Sequence, residues 1–330
     1  MKQIRSTAFL LISTLLLTVA VFGQSYKVSD SYSHKNLSIF LIQGKDQRSG
    51  DNIVTLEEAL ENKEFQVFET SDVNELMVQN LSTKNDVFIQ SGDIVKGGKQ
   101  DRVLAVSVII PRKSGKITIE AFCVESGRWT SRDGESVSTF GSSKERIVSK
   151  ELKLAANMSK SQTEVWSEVS NAQEKISVNV GGSVVSNKSE TSLQLSLEDK
   201  KIKETIAEYI DKLGDVTDKK TDVIGYAFAI NGQINSADVY VSKALFKKLW
   251  PKMLRAAAIE AVAKSDKKGY STVTRENVIE FLADSAKASS STQAVTNGSK
   301  VVTKKAEEKV VFESMDKSDV VIHRSYVKID

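Results

Sequence analysis

The first third of the chain alternates between short apolar runs and polar or glycine-containing turns. The apolar runs are rich in β-branched residues and cover 34–44, 65–70, 75–82, 86–95, 102–111 and 116–126. This pattern predicts an antiparallel sheet, sandwich or partial barrel over residues 34–130. A short helix is predicted at 55–62, because Thr55 and Glu58 have the spacing of a capping box.

From residue 142 onward, helical patterns dominate. The segment 142–176 favours helix, and 196–214 carries a clear apolar stripe at helical spacing, beginning near Ser196 and Asp199 and ending at Gly214. Two further helices are predicted at 243–265 and 272–288. Between them and the earlier helices, 222–242 predicts a β-hairpin, because Asn231-Gly232 separates two apolar runs.

The end of the chain is predicted to return to strands over 300–329, after a flexible linker or exposed loop at 289–299. Residues 24–330 therefore predict a single α+β domain. Its β-rich part is 34–130 and its helix-rich part is 142–330, so the elements are segregated rather than strictly alternating.

The N-terminus has the pattern of a secretory signal peptide. Lys2 and Arg5 precede a mostly apolar, uncharged run over 8–22, and Gly23 offers a small residue at the cleavage position. We therefore expect a secreted or periplasmic protein, with residues 1–23 removed and no stable membrane anchor afterwards. Without Lys2 and Arg5 the formal charge falls from +3 to +1, which favours no nucleic-acid partner.

Cysteine and histidine are scarce, which limits the chemistry that the chain can carry. Cys123 is the one cysteine, and His34 and His323 are the two histidines. An internal disulfide is excluded, and we expect no metal site. Cys123 falls within a predicted strand without a histidine nearby in sequence, so we expect a buried structural thiol rather than a nucleophile.

The stretch GDIVKGGKQDR (92–102) resembles a phosphate-binding loop but departs from its pattern. Gly98 occupies the position of the required lysine, Lys99 comes one residue late, and Gln100 replaces the metal-binding hydroxyl. A strand rather than a helix follows, and the dinucleotide fingerprint is also missing. We therefore expect no nucleotide cofactor, and no other cofactor is indicated. Gly97 and Gly98 instead predict a turn with positive φ.

Polar residues gather around this turn and around a second one in FCVESGRW (122–129). They support two interpretations: an anion-binding site, or ion pairs that hold the two turns together. In the first interpretation Glu125 is a weak candidate for a catalytic acid or base. The candidate ligand-binding residues are Lys99, Gln100, Arg102, Arg128 and Trp129.

These two motifs, followed in order by QTEVWSEV, VIGYAFAINGQ and LFKKLWPKML, carry a resemblance to a known family. The chain resembles the bacterial ARG and rhodanese-phosphatase-superfamily-associated protein domain family over residues 35–330. The family's name implies a genomic association with ADP-ribosylglycohydrolases and phosphatase-like proteins. The resemblance implies no established activity and no catalytic residue.

The sequence leaves open whether the protein is an enzyme, since no catalytic signature is complete. The first hypothesis is a ligand-binding or interaction domain for an anionic small molecule. The alternative is a hydrolase or transferase acting on a phosphate- or ADP-ribose-related small molecule. A structural domain for envelope assembly is a third hypothesis, and the sequence indicates no particular protein partner.

Overall fold

The computed structural model describes residues 26–48, 52–132, 134–266, 268–283, 287–296 and 298–329. The expected signal peptide, with its cleavage site after Gly23, lies outside these described residues. Within them, no helix is both long enough and apolar enough to cross a membrane.

The N-terminal part consists of short strands with one helix, α1 (Leu56–Glu61). In chain order the strands are β1 (Lys27–Val28), β2 (Tyr32–His34), β3 (Leu37–Gln43), β4 (Ile53–Thr55), β5 (Phe65–Phe68), β6 (Glu75–Asn80), β7 (Asp86–Ile89), β8 (Asp93–Gly97), β9 (Arg102–Leu104), β10 (Val108–Ile110), β11 (Ile117–Cys123) and β12 (Phe140–Arg146).

The C-terminal part combines six helices with six strands among the described residues. In chain order the elements are α2 (Lys150–Leu154), a π-helical turn (Ala155–Ser159), α3 (Gln162–Asn179), α4 (Leu193–Leu197), α5 (Lys200–Leu213), a 3-10 turn (Gly214–Lys219), β13 (Val223–Ile230), β14 (Gln233–Tyr240), α6 (Lys243–Ala263), α7 (Arg275–Leu282), β15 (Ser289–Thr296), β16 (Ser299–Lys305), β17 (Lys309–Met315) and β18 (Val321–Lys328).

The described strands form three sheets. The largest is antiparallel in the order β1-β3-β13-β14-β18-β17-β16-β15, with β2 added beside β3. A six-stranded sheet has the order β12-β8-β9-β11-β6-β5, and a small sheet has the order β10-β7-β4, in which β4 and β7 are parallel. The largest sheet therefore joins strands from both ends of the chain, and the predicted α+β class is confirmed.

Apolar side chains cover both faces of the largest sheet. On one face, Tyr226 and Phe228 of β13 belong to the main core together with α6 residues such as Phe246 and Trp250. On the other face, Ala227 of β13 packs in a separate core with residues of α7 and β18. A strand places successive side chains on opposite faces, so β13 can be buried along its whole length.

Two predictions that depend on neighbouring residues, the capping box and the hairpin turn, were confirmed. Thr55 and Glu58 form the predicted capping box at the start of α1. Asn231 and Gly232 adopt φ angles of 54° and 71°, and they connect β13 to β14 as a two-residue hairpin turn of the kind that requires positive φ.

The helix predicted over 196–214 is shorter than expected. It begins at Lys200 with Asp199 as its cap, while Ser196 belongs to the preceding helix α4. Two predicted strands are also interrupted: 86–95 divides into β7 and β8 at a turn containing Gly92, and 102–111 divides into β9 and β10 at residues 105–107.

Two further expectations were wrong. The start of 142–176, expected to favour helix, belongs to strand β12, which pairs with β8. The segment 289–299, expected to be a flexible linker or exposed loop, contains strand β15, which pairs with β16. Both segments are polar, so they lack the alternation that marks a half-buried strand; pairing with a distant or following strand determines their conformation.

Candidate functional site

The turn between β8 and β9 has the predicted conformation. Gly97 and Gly98 adopt φ angles of 116° and 56°. A Cβ atom on Gly98 would come within 2.3 Å of the Phe140 ring, so the glycine is required both for its backbone conformation and for the close approach of β12. The residues that follow it are therefore held in one position.

Arg102 is fully buried and is bound by protein groups. Its guanidinium donates hydrogen bonds to the Val73 carbonyl at 2.8 Å, to Cys123 Sγ at 2.8 Å and to Glu69 Oε1 at 3.2 Å. Glu69 also accepts from the backbone N–H of Lys99 at 3.0 Å. Arg102 therefore ties the turn to two neighbouring segments.

Glu125 and Asp101 form a second buried charge cluster. Arg128 donates two hydrogen bonds to Glu125, at 2.7 and 2.6 Å, and Arg132 donates two to Asp101, at 2.8 and 2.6 Å. Burial alone would raise the pKa of Glu125, but the hydrogen bonds from Arg128, Ser189 and the Asp101 backbone, together with the charge of Arg128, leave that pKa below its ordinary value. Glu125 is thus held as a paired carboxylate, which does not suit a proton-transferring acid.

The remaining candidates of the loop differ in their exposure. Gln100 is buried, and its Oε1 has no hydrogen-bond partner among the described residues. Trp129 is 45% exposed, and Lys99 Nζ lies 4.9 Å from the centre of its ring while donating to Ser71 Oγ. The six candidates are close in space, but none lines the cavities described below. Their contacts fit the second interpretation, in which ion pairs hold the turns together.

Cys123 is buried as expected. Burial raises the pKa of its thiol to about 11, with the positive charge of Arg102 opposing only part of that effect. Gln162 clamps the Cys123 backbone, accepting from its N–H and donating to its carbonyl, both at 2.8 Å. These features define a structural residue.

A different polar centre lies where the largest sheet meets the N-terminal strands. His323 of β18 is 2% exposed; its Nε2 lies 3.0 Å from Asp238 Oδ1, and its Nδ1 lies 3.0 Å from Ser107 Oγ. Asp238 belongs to the adjacent strand β14, and Ser107 lies in the connection between β9 and β10. The order of groups is therefore serine, histidine, aspartate.

The partners determine the protonation of this line of groups. Burial would raise the pKa of Asp238, but Lys153 and His323 beside it hold that pKa well below its ordinary value. Burial lowers the pKa of His323, so its ring is neutral at pH 7. An ionised Asp238 only accepts, so Nε2 carries the hydrogen and Nδ1 accepts from the Ser107 hydroxyl. The oxygen of Ser107 also accepts from the backbone N–H of Ser91 at 3.0 Å.

Lys153 of α2 completes the centre. Its Nζ donates to Ser325 Oγ at 2.6 Å and lies 3.5 Å from Asp238 Oδ1. Burial lowers the pKa of this lysine, with Asp238 opposing the shift. The π-helical turn follows α2, and its Asn157 accepts from Ser91 Oγ at 2.8 Å. Single π-turns are frequent at functional sites.

Two small cavities, each of about 30 Å³, adjoin Lys153. The first is also lined by Arg146, Lys150, Asn235, Asp238 and Glu260. The second is also lined by Ser91, Ser107, Asn157, Lys160 and Ser325. A volume of this size holds about one or two water molecules, so each cavity accommodates a small group rather than a large ligand.

The first cavity contains polar atoms that lack partners. Arg146 is 6% exposed; it donates to the Ser91 carbonyl at 2.7 Å and contacts Met253 Sδ at 2.9 Å, and it forms no ion pair among the described residues. The Nε of Arg146 and the Oδ1 of Asn235 are buried without a hydrogen-bond partner in the part of the chain that the structure describes. Three cations, Arg146, Lys150 and Lys153, therefore line a cavity with two carboxylates.

The described residues contain no group of three or more His, Cys, Asp or Glu side chains arranged to hold a metal ion. The side chains that line the two cavities offer hydrogen-bond donors and cations to a ligand, together with the hydroxyl of Ser107. Such a set is suited to an anion or to a group that develops negative charge.

Fold and site together define an α+β protein with a large antiparallel sheet and a buried Ser–His–Asp line beside a lysine. The chain belongs to the ARG and Rhodanese-Phosphatase-superfamily-associated Protein domain family, whose model matches residues 25–327. The resemblance inferred from the sequence motifs is thereby confirmed. No curated protein and no solved structure matches the chain.

The sequence motifs did not reveal this centre, because Ser107, Asp238 and His323 are far apart in the chain. One signal was present: Asp238 and His323 interrupt the apolar pattern of two predicted strands. A buried charge needs a partner, so each of these residues could have been flagged as one half of a pair.

Proposed function

We propose that this protein is a secreted or periplasmic ligand-binding domain that binds a small anion between Arg146 and Lys153. The N-terminal sequence supports the location, since its pattern is that of a cleavable signal peptide. The ligand is inorganic, or it is the carboxylate or phosphate end of a small molecule, because the cavity has room only for a small group.

The observation that carries the proposal is the buried guanidinium of Arg146 without a carboxylate partner among the described residues. Removing a cation from water costs several kcal/mol unless an anion compensates it. Glu260, one of the two carboxylates of the cavity, also pairs with Lys264 at 3.0 Å. Arg146 is therefore the cation of the cavity whose charge an anionic ligand would neutralise.

The candidates of the loop are not part of the proposed binding site. Lys99, Arg102 and Arg128 already bind Ser71, Glu69 and Glu125, and a ligand at the loop would have to replace those contacts. The alternative function, a hydrolase or transferase acting on a phosphate- or ADP-ribose-related molecule, uses the same preference for anions. ADP-ribose is therefore included among the test ligands.

The test is a thermal-shift and calorimetric titration with inorganic phosphate, acetate and ADP-ribose. A ligand at a hundred times its Kd stabilises the native state by about 2.7 kcal/mol and raises Tm. We expect one of these anions to raise Tm in the wild type and in Arg275→Met, a variant of an exposed arginine that serves as the matched control. Arg146→Met should abolish the shift.

Arg146→Met separates binding from folding. Arg146 has no carboxylate partner among the described residues that the substitution would leave uncompensated, so the ligand-free variant should stay folded, although the Ser91 carbonyl loses a hydrogen bond. Failure of all three anions to raise the Tm of the wild type, or an equal rise in Arg146→Met, would contradict the proposal.

The location is checked by fractionation and N-terminal sequencing, with Gln24 expected as the first residue of the mature chain.

A further inference from the structure

We infer that Ser107, His323 and Asp238 form a nucleophilic site that cleaves small acyl esters at the second cavity. Ser107 is the nucleophile, His323 the general base and acid, and Asp238 the positioning residue. This activity goes beyond the proposed anion binding, because its reacting atom lies in the other cavity.

The geometry of the three groups is that of an activated hydroxyl. Ser107 Oγ and Asp238 Oδ1 each lie 3.0 Å from a different nitrogen of His323. Nucleophile–base and base–carboxylate contacts of this length are the diagnostic feature of serine nucleophiles on unrelated folds. Here Nδ1 rather than Nε2 faces the serine, and Nδ1 is the nitrogen without a hydrogen, so it can accept the proton.

The packing around His323 fixes the orientation of its ring. Tyr240 stacks on it with centroids 4.8 Å apart and an interplanar angle of 19°, and Phe88 approaches it edge-on at 5.9 Å. Gln90 in turn holds the Tyr240 hydroxyl at 2.8 Å. A base that is locked in this way loses little entropy when the reaction begins.

The hydroxyl of Ser107 borders the second cavity, where a ligand can contact it. Ser107 is 6% exposed and lines this cavity, together with Lys153 and Asn157. The ammonium of Lys153 is the cation available to an oxygen that becomes negative during the reaction. The cavity, the neutral histidine and the cation therefore meet at the hydroxyl of Ser107.

The reaction balances with water as the only co-reactant. Ser107 Oγ forms a bond to the ester carbonyl carbon while its proton passes to Nδ1 of His323. The bond from that carbon to the leaving oxygen then breaks, and the imidazolium returns the proton to the departing alcohol. Water attacks the acyl-serine, His323 takes one of its protons, and the carboxylic acid leaves as this proton returns to Ser107 Oγ.

The size of the cavity restricts the acyl group. At about 30 Å³ it has room beside Ser107 for the carbonyl oxygen and methyl group of an acetyl ester, with the leaving group outside, and it excludes long acyl chains. The substrate class is therefore a short-chain ester, for which p-nitrophenyl acetate is a suitable probe. Methanesulfonyl fluoride is a reactive probe of similar size that leaves a stable adduct on an activated serine.

The experiment treats the full protein with methanesulfonyl fluoride and locates the adduct by peptide mass spectrometry. We expect a single adduct on Ser107, no adduct in Ser107→Ala, and a labelling rate at least tenfold lower in His323→Gln. Ser29→Ala, a variant of an equally buried serine outside both cavities, should be labelled at the wild-type rate. Circular dichroism confirms that each variant is folded.

The role of Asp238 is tested by the kinetics. In Asp238→Asn, the maximal labelling rate should fall at least tenfold while the concentration giving half-maximal rate stays unchanged, because Asp238 orients the base and does not line the second cavity. Hydrolysis of p-nitrophenyl acetate should fall in parallel, by kcat rather than KM.

An adduct on Ser325 or another residue, an equal rate in His323→Gln, or no adduct in the folded wild type would each overturn the inference. Its failure is distinguishable from failure of the proposed anion site. Arg146→Met should lose the ligand-induced Tm shift and retain labelling, whereas Ser107→Ala should lose labelling and retain the shift.

Discussion

Replacing Arg102 by methionine tests whether the residues of the turn between β8 and β9 stabilise the fold or bind a ligand. Arg102 and Glu69 form an ion pair at 3.2 Å, and their side chains are 0% and 4% exposed. Methionine keeps much of the side-chain volume but removes the charge. It leaves the Glu69 carboxylate buried without its cation, although that carboxylate still accepts from the Lys99 and Ser71 backbone N–H groups.

The expected cost follows from this burial. Removing one partner of a buried ion pair costs about 3–5 kcal/mol, because the other charge stays desolvated and uncompensated. The two backbone donors that still bind Glu69 place the expected value near the lower end, at about 3 kcal/mol. Lys99→Met is the control: it removes a cation whose contacts to Ser71 and Trp129 are exposed, so it should cost less than about 1 kcal/mol.

The assay is urea unfolding followed by fluorescence, with the midpoint compared at constant m. Glu69→Gln added to Arg102→Met neutralises the stranded carboxylate, and the double variant should recover at least about 1 kcal/mol. A cost below about 1 kcal/mol for Arg102→Met, or strictly additive costs in the double variant, would show that the ion pair does not hold the turn. Arg102 would then remain a candidate for ligand binding.

Three further predictions concern other parts of the molecule. Cys123, whose thiol pKa is raised to about 11 by burial, should resist iodoacetamide at pH 8 in the folded protein and react fully in urea; rapid native labelling would contradict its burial. Gly232→Ala should lower the free energy of unfolding by at least about 1–2 kcal/mol in urea, because φ is 71° and the new Cβ would lie 2.3 Å from the Ser271 carbonyl oxygen; an unchanged midpoint would refute the turn geometry. The free energy of unfolding should also fall as pH drops below about 6.5, because the folded pKa of His323 is lower than the ordinary 6.5 and the unfolded chain therefore takes up the proton first. Asp238, whose folded pKa also lies below its ordinary 3.8, extends this loss to lower pH, and His323→Gln should remove the first part of the decline in urea midpoints measured across pH.

The accuracy of the sequence predictions differed between local and distant features. The capping box at Thr55 and the hairpin at Asn231-Gly232 depend on residues within a few positions of each other, and both were confirmed. Strand β12 was missed because its polar side chains are buried by partners far along the chain; Glu145, for example, pairs with Arg255 at 2.8 Å. No local pattern contains that information.

The candidate sites show the same division. The sequence predicted that the charged residues of GDIVKGGKQDR and FCVESGRW lie near one another. Whether they bind a ligand or pair with each other depends on their burial. Arg102 is enclosed by segments that lie 21 to 33 positions away, and the pairing partner Glu69 was not among the predicted residues. The cavities near Lys153 were beyond prediction, because distant elements line them. The first forms where α2 meets β12, β13, β14 and α6, and the second where α2 meets β16, β17 and β18.

The sequence by itself determined the family, the α+β class and the turns that glycine and asparagine impose, because these depend on short-range sterics and on motifs of neighbouring residues. Tertiary structure alone decided which charges are neutralised and which side chains share a cavity. Antiparallel pairing of β14 with β18 brings Asp238 beside His323 from positions 85 residues apart. Their exclusion from water then gives that contact its chemical consequence.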